Sequence, residues 1–290
     1  MKPFLCVDLT ADKKNEQVNG DEFLVAKPSD ALTQSFERSS ENAEETIEKS
    51  KLPLPVRIIQ WICGGGGVIV AMGILRGLLK SDDISVQQAY QNAPGLFWFA
   101  GIALVIWVVL KLISVRKSKS VLETDESAQT FDNLESTCDA IFTELSVPKD
   151  AKDVDVFSFF YKVKGDEIKI TQKGMQTFHC INAVYKAFAD SENLYLANVE
   201  GKYAFPLSSI KGIRTVKKHI TMPEWNKEER FNKGDYKQYK LTTDDYGHIH
   251  SKYYHIIEVD YNGELSGVYI PCYELTVFEE LTGLKSIQDK

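Results

Sequence analysis

The sequence predicts an α+β protein, in which a hairpin of two transmembrane helices carries a β-rich domain that ends in a helix. The membrane part rests on two apolar blocks, residues 56–79 and 95–115, which lie between polar and acidic segments. The β part rests on short runs of alternating apolar and polar residues from residue 154 onward, separated by turn signals such as Asn262-Gly263. Several short strands before a terminal helix are typical of an antiparallel sheet or barrel capped by that helix.

Residues 1–53 form the predicted cytoplasmic N-terminal segment. Residues 3–9 and 22–26 are short β-prone runs, joined by a polar stretch that predicts either a hairpin or a loop. Because an isolated two-stranded hairpin is marginally stable in water, we expect these strands, if ordered, to add to the sheet of the C-terminal domain. Residues 29–51 predict an acidic, amphipathic or partly disordered helix that ends before Pro53.

Each apolar block is long enough to cross a bilayer as a helix. At a rise of about 1.5 Å per residue, roughly twenty residues match a hydrocarbon core about 30 Å thick. We therefore predict spans at residues 54–79 and 95–115. Residues 80–94 form the predicted extracytoplasmic loop, which is too short to form a domain. The first block begins too far from Met1 for a secretory signal, so both spans are expected in the mature protein.

Lysine and arginine near the span ends orient the predicted hairpin. They are concentrated before the first span and after the second, whereas the opposite ends of the spans and the loop between them hold only Arg76 and Lys80. The positive-inside rule then places both termini in the cytoplasm of a multi-pass cell-membrane protein. The flanking residues are Lys49, Lys51, Arg57, Lys111, Arg116, Lys117 and Lys119.

Four consecutive glycines, residues 64–67, lie inside the first apolar block. A phosphate-binding loop would need a following lysine and hydroxyl residue between a strand and a helix, and the amides of a membrane helix are already hydrogen-bonded. Gly66, Gly73 and Gly77 instead share one stripe of the predicted helix, a pattern typical of close helix packing. The partner is either the second span, which offers Gly101, or the same stripe of a second copy.

Residues 116–150 form a predicted cytoplasmic linker helix. Its apolar residues recur at steps of three and four, which places them on one face. The face either packs on the chain's own domain or forms a self-associating coil. Its members are Phe131, Leu134, Cys138, Ile141, Phe142 and Leu145.

Residues 151–290 form the predicted β-rich domain. E-N-L-Y-L-A-N-V-E-G-K-Y-A-F-P-L-S-S-I-K-G-I, residues 192–213, contains two strands around a turn, a Pro-Leu-Ser step and a third strand. Y-I-P-C-Y-E-L-T-V-F-E-E-L-T-G-L, residues 269–284, contains a closing strand and a helix. Both segments resemble the pleckstrin-homology-like (PH-like) domains of bacterial membrane proteins. The resemblance covers roughly the last 140 residues and implies a scaffold for interactions rather than a particular chemistry.

The sequence predicts no catalytic, cofactor or metal site. No serine lies in G-x-S-x-G, and the five cysteines are scattered, odd in number and without C-x-x-C spacing, which favours a reducing compartment. His248 and His250 would share a strand face, as a metal pair might, but no third ligand is apparent. A solvated hairpin is therefore the preferred interpretation.

A basic stretch follows residue 210. Lys211, Arg214, Lys217 and Lys218 are candidate contacts for anionic lipid, by analogy with eukaryotic PH domains that bind phosphoinositide headgroups. The alternative is a mixed-charge loop, because the next segment, residues 222–235, carries both signs. Nucleic-acid binding is not expected of a chain with a net charge of −7.

Together these features predict a non-enzymatic integral membrane protein whose cytoplasmic PH-like domain serves as an interaction scaffold at the inner face of the membrane. Its expected partners are the lipid bilayer, an unidentified membrane or cytoplasmic protein, and a second copy as a further candidate. The first alternative is an accessory subunit of a membrane transport or secretion assembly. The second is an enzyme whose site a polar pocket with converging titratable groups would reveal.

Overall fold

The structure is a computed structural model of the 290-residue chain. It describes residues 6–8, 21–80, 90–159, 161–164, 167–170, 180–217, 220–223, 233–243 and 248–288. The chain divides into two compact units, a sheet unit of residues 1–33 and 139–290 and a helical unit of residues 34–138. The predicted loop of residues 80–94 and the charged segment 222–235 lie mostly outside the described residues, as does Lys218.

Four long helices occupy the chain between the N-terminal segment and the sheets. They are α1 Asp30–Ser50, α2 Leu54–Lys80, α3 Pro94–Leu122 and α4 Asp125–Glu144. Helix α1 begins after Ser29, whose carbonyl accepts a bond from the Thr33 amide, and ends three residues before Pro53.

Helices α2 and α3 are long and apolar enough to cross a membrane. Their apolar side chains are mostly exposed, as Trp61 and Ile69 illustrate, while Ala100 and Ala103 are buried where α3 packs against α2. Exposed apolar surface of this extent is typical of a face that contacts lipid or another protein.

The sheet unit contains two five-stranded sheets. Their strands are β1 Cys6–Asp8, β2 Leu24–Ala26, β3 Lys152–Phe159, β6 Cys180–Ala189, β7 Asn193–Asn198, β8 Gly201–Pro206, β9 Ile210–Val216, β13 Tyr254–Tyr261, β14 Glu264–Pro271 and β15 Ser286–Gln288. Strands β4 Tyr161–Lys164 and β5 Glu167–Ile170 form a separate two-stranded hairpin. In the first sheet the strand order is β2-β8-β7-β6-β3, and in the second it is β1-β14-β13-β9-β15. All pairs are antiparallel except β15 with β9.

Each sheet is built around strands that pair in chain order, with β4 and β5 intervening between β3 and β6 and an insertion between β9 and β13. Strands β3, β6, β7 and β8 follow one another in the first sheet, and β9, β13 and β14 follow in the second. The turn from β13 to β14 is the predicted Asn262-Gly263, where both residues have positive φ. Helix α5, Leu275–Thr282, comes next and ends at Gly283, whose φ of 69° suits glycine. Among the described strands, hydrogen bonds do not close the two sheets into a barrel.

Short terminal strands lie at three edges of these two sets of strands. β1 pairs with β14, β2 pairs with β8, and β15 pairs with β9. The two N-terminal runs therefore join the C-terminal sheets as expected, but they belong to different sheets and do not pair with each other as a hairpin.

The apolar core of the sheet unit lies between the two sheets and α5. Phe205, Phe278 and Leu196 are among the largest fully buried side chains, and Phe23 from the N-terminal segment joins them. Ile141, near the end of helix α4, and Leu145, directly after it, are also buried, which favours packing on the chain's own domain over a coil.

An insertion between β9 and β13 forms a separate three-stranded sheet. Its strands are β10 Ile220–Pro223, β11 Thr242–Thr243 and β12 His248–Ser251, and a 3-10 segment, Lys233–Tyr239, precedes β11. The sequence pattern of residues 237–242 predicts a strand, but residues 237–239 belong to this 3-10 segment and a strand begins only at Thr242.

Candidate functional site

Buried polar side chains collect where the insertion meets the second sheet. Strand β9 supplies Thr215, the 3-10 segment supplies Tyr239, β12 supplies Ser251, β13 supplies His255, and the turn after β14 supplies Cys272. Four of the five are buried, and Tyr239 is half-buried. Neither the sequence periodicity nor a motif brings these residues together, because each comes from a different element.

His255 is held in place by its neighbours on the sheet. It lies opposite Thr215 in the β9–β13 register, and its Nδ1 is 3.1 Å from the Thr215 hydroxyl oxygen. The Tyr239 ring meets the imidazole edge-on at 5.3 Å. Nε2 is buried and has no hydrogen-bond partner. Burial lowers the pKa of His255 to about 4, although the nearby Glu279 carboxylate acts in the opposite direction. The imidazole is therefore neutral at physiological pH.

Cys272 and Ser251 are adjacent but are not an activated nucleophile. The Cys272 sulfur lies 3.5 Å from the Ser251 hydroxyl oxygen, and burial raises the pKa of the thiol to about 11. A nucleophilic cysteine needs a lowered pKa, so this thiol is inert. The Ser251 oxygen lies 2.7 Å from the Tyr253 carbonyl oxygen and accepts the Tyr253 amide, so the hydroxyl closes a tight turn.

A second buried network joins β3 to the turn that follows β14. The Tyr273 hydroxyl donates to Asp155 Oδ2 at 2.7 Å, and the Asp155 amide donates to Glu274 Oε1 at 2.9 Å. Asp155 has no exposed surface and Glu274 has 4%. The Tyr236 hydroxyl also donates to the Tyr273 carbonyl, which attaches the insertion to the same turn. The hydrogen bond to Glu274 satisfies the backbone amide of Asp155, which lies in β3, an edge strand of the first sheet.

These groups do not form a metal centre. Within the described part of the chain, no three His, Cys, Asp or Glu side chains lie close enough to hold an ion. His250 lies in β12 between β10 and β11, and His255 is in a different strand.

The glycine run in α2 packs differently from the predicted stripe. A β-carbon at Gly64 would lie 2.6 Å from Cδ1 and Nε1 of Trp107, and one at Gly67 would lie 3.2 Å from the Ala103 β-carbon. The close approach between the spans therefore uses Gly64 and Gly67.

Three of the four predicted packing glycines lie on open faces of α2 and α3. At Gly66, Gly73 and Gly101, an added β-carbon would meet no atom within 4 Å, and Gly77 lies in the same helix, α2, as the first two. Gly66 and Gly73 therefore do not contact α3, and Gly101 does not contact α2. The association of these glycines with another helix stays a prediction.

Two of the four residues of the predicted basic patch are paired with carboxylates on β13. Lys211 Nζ lies 3.1 Å from Asp260 Oδ2, and Arg214 Nε pairs with Glu258. Hydrogen bonds from the Lys211 ammonium group and from the Gly263 backbone amide lower the pKa of Asp260. Lys217 is exposed. Lipid binding by the patch stays a prediction, and the paired charges weaken the case for it.

Comparisons with protein-family models, curated proteins and solved structures found no match.

Proposed function

We propose that the protein is a two-span membrane protein that anchors a non-enzymatic, PH-like interaction domain at the inner face of the membrane. One observation carries the proposal: residues before the first span and after the second fold into the same unit. Strand β2 pairs with β8, and the Ser29 hydroxyl donates to the Glu144 carboxylate at 3.1 Å. Segments of one folded unit must lie on one side of a bilayer, so the intervening apolar helices cross it an even number of times.

The side of the membrane follows from the charges at the span ends. Arginine and lysine are concentrated at the ends of α2 and α3 that connect to the sheet unit. The positive-inside rule assigns that side to the cytoplasm.

The order of strands supports a PH-like domain. PH-like domains have a four-strand meander, a three-strand meander and a closing helix. The sheet unit has β3-β6-β7-β8, then β9-β13-β14, then α5. The terminal strands, the β4–β5 hairpin between β3 and β6, and the long insertion between β9 and β13 are additions to that pattern.

The buried polar cluster supports a structural role rather than catalysis. The thiol of Cys272 is protonated, His255 is inaccessible, and Ser251 is engaged in a turn. Polar groups buried in this way specify how the insertion packs on the sheet.

The covered sheet edges narrow the proposed mode of partner binding. A peptide that adds a strand needs an unpaired edge. β8, β14 and β9 already pair with β2, β1 and β15. The strands that now form these edges, β2, β1 and β15, are only 3 residues long each, so we propose that a partner protein contacts faces, loops or the insertion rather than adding a strand there.

The alternative, an accessory subunit of a transport or secretion assembly, is favoured by the open glycines. Gly66 and Gly73 take no part in packing between the two spans. Glycine on a helix surface allows a second helix to approach closely, and lipid chains gain nothing from it.

Two experiments test these proposals. Reporter fusions in the loop of residues 80–94 and after Lys290 should lie on opposite sides of the membrane, and finding both on one side would refute the hairpin. Purification from detergent with mass spectrometry should recover partners that depend on the sheet unit. Stoichiometric multi-span partners that are lost in Gly66→Leu/Gly73→Leu, but retained in the matched Gly65→Leu variant, would instead establish the alternative.

A further inference from the structure

The N-terminal strap, residues 21–33, inserts an aromatic ring into the core of the sheet unit. Phe23 is 2% exposed. Its ring centroid lies 4.6 Å from that of Phe205 and 5.1 Å, edge-on, from that of Tyr261. Phe205 belongs to the first sheet and Tyr261 to the second, so the strap contributes to the core between them.

The backbone of the strap is fitted closely to β8. Leu24 lies opposite Tyr203, and Ala26 lies opposite Lys202. At the adjacent Gly201, a β-carbon would lie 2.6 Å from Leu24 Cδ1 and 2.9 Å from the Ala26 carbonyl oxygen. The strap can therefore dock in this position only because residue 201 has no side chain.

The far end of the strap is also attached. The Ser29 amide and hydroxyl both donate to the Glu144 carboxylate, at 3.2 and 3.1 Å. The strap is thus held by a ring in the core, a strand pair and a capped helix start. Every one of these partners comes from the chain after the second span.

The position of the strap in the sequence links its docking to the membrane spans. It precedes α2, whereas β8, Phe205, Tyr261 and Glu144 all follow α3. The strap and its partners meet only if both spans, or neither, have crossed the bilayer. We propose that strap docking is an assembly checkpoint: the sheet unit becomes complete only when the hairpin has been inserted with both flanks on one side. The checkpoint acts on assembly and does not depend on which partner the domain binds.

An undocked strap leaves a recognisable defect. Phe205 and Tyr261 lose the ring that packs between them, and β8 becomes an unpaired edge, which is a template for aggregation and a target for proteases. Removing a buried phenylalanine ring shifts a docking equilibrium by about 100-fold or more.

The first test uses the full chain in membranes with matched glycine variants. Gly201→Ala places a methyl group against the strap, whereas Gly212→Ala, also at a buried strand glycine, meets no atom within 4 Å. With protease added on the side of the sheet unit, we expect Gly201→Ala to raise the cleavage rate of the N-terminal segment about tenfold. Gly212→Ala should leave that rate unchanged. Equal rates in the two variants would overturn the proposed docking.

The second test separates the strap from the sheets by topology. Deleting residues 54–80 leaves one span, so the strap and the sheet unit lie on opposite sides. We expect the sheet unit to lose protease resistance, and a separate fragment of residues 1–53, supplied on its side, to restore it. The same fragment carrying Phe23→Ala should not restore protease resistance. Full resistance without a fragment, or no rescue by the native fragment, would overturn the checkpoint.

Discussion

Replacing Gly64 with alanine tests how the two spans pack. Carbon atoms in contact normally lie about 3.5–4.0 Å apart, so a β-carbon 2.6 Å from Trp107 requires the ring or the helix to move by about 1 Å. Overpacking of this kind costs about 1–3 kcal/mol. Alanine also gains about 1 kcal/mol over glycine from helix propensity, which partly offsets the loss.

The neighbouring Gly65 provides the matched control. It has no atom within 4 Å of the position that a β-carbon would occupy, so Gly65→Ala receives the propensity gain without the clash. The free energy of unfolding should therefore differ between the two variants by about 1–3 kcal/mol, with Gly64→Ala the less stable. Unfolding by sodium dodecyl sulfate in mixed micelles measures this difference.

Adding Trp107→Leu should relieve most of the penalty at Gly64, because the double variant removes the obstructing ring. Equal stabilities for the two alanine variants, or no relief by Trp107→Leu, would refute the packing described above.

Three further predictions concern the sheet unit. Burial lowers the pKa of His255 from an ordinary 6.5 in the unfolded chain to about 4 in the folded protein, so the unfolded state binds more protons between these two values. The free energy of unfolding should therefore drop by about 3 kcal/mol as pH falls from 6.5 to 4. Urea unfolding of His255→Gln should show a smaller drop over the same pH range. Tyr273→Phe removes the hydroxyl that donates to buried Asp155 and should cost about 1–3 kcal/mol of unfolding free energy, measured in the same way, and a change below about 0.5 kcal/mol would contradict the role of this bond. In a vesicle-binding assay with anionic lipid, Lys217→Gln should weaken any binding more than Lys211→Gln, because Lys211 is already paired with Asp260.

The large elements could be predicted from sequence because each has a strong local signal. Two uninterrupted apolar blocks specify two long apolar helices, and α2 and α3 coincide with them except that α3 continues to Leu122. The Asn262-Gly263 dipeptide specifies a hairpin turn, and Gly283 specifies a helix end, since both need positive φ. These signals act within a few residues and do not depend on the rest of the fold.

The packing partners could not be predicted because they depend on contacts distant in sequence. A stripe of glycines indicates a close approach but does not determine which glycines face which neighbour, and Gly64 rather than Gly66 meets Trp107. Likewise, composition marks Lys211 as basic but cannot show that the β9–β13 pairing places Asp260 beside it. The Asp155–Tyr273 bond joins residues 118 positions apart, for which a single sequence carries no signal.

The division of the glycine run bears directly on the two candidate functions. Packing inside the hairpin accounts for Gly64 and Gly67, where any added side chain would be restricted by Trp107 and Ala103. That packing places no restriction on Gly66 or Gly73. A lipid-exposed helix position tolerates leucine at least as well as glycine, because leucine has the better helix propensity and transfers favourably into the bilayer. If the hairpin serves only as an anchor, Gly66→Leu and Gly73→Leu should leave partner recovery unchanged; if the span packs into a larger assembly, the same substitutions should abolish it while the sheet unit stays folded.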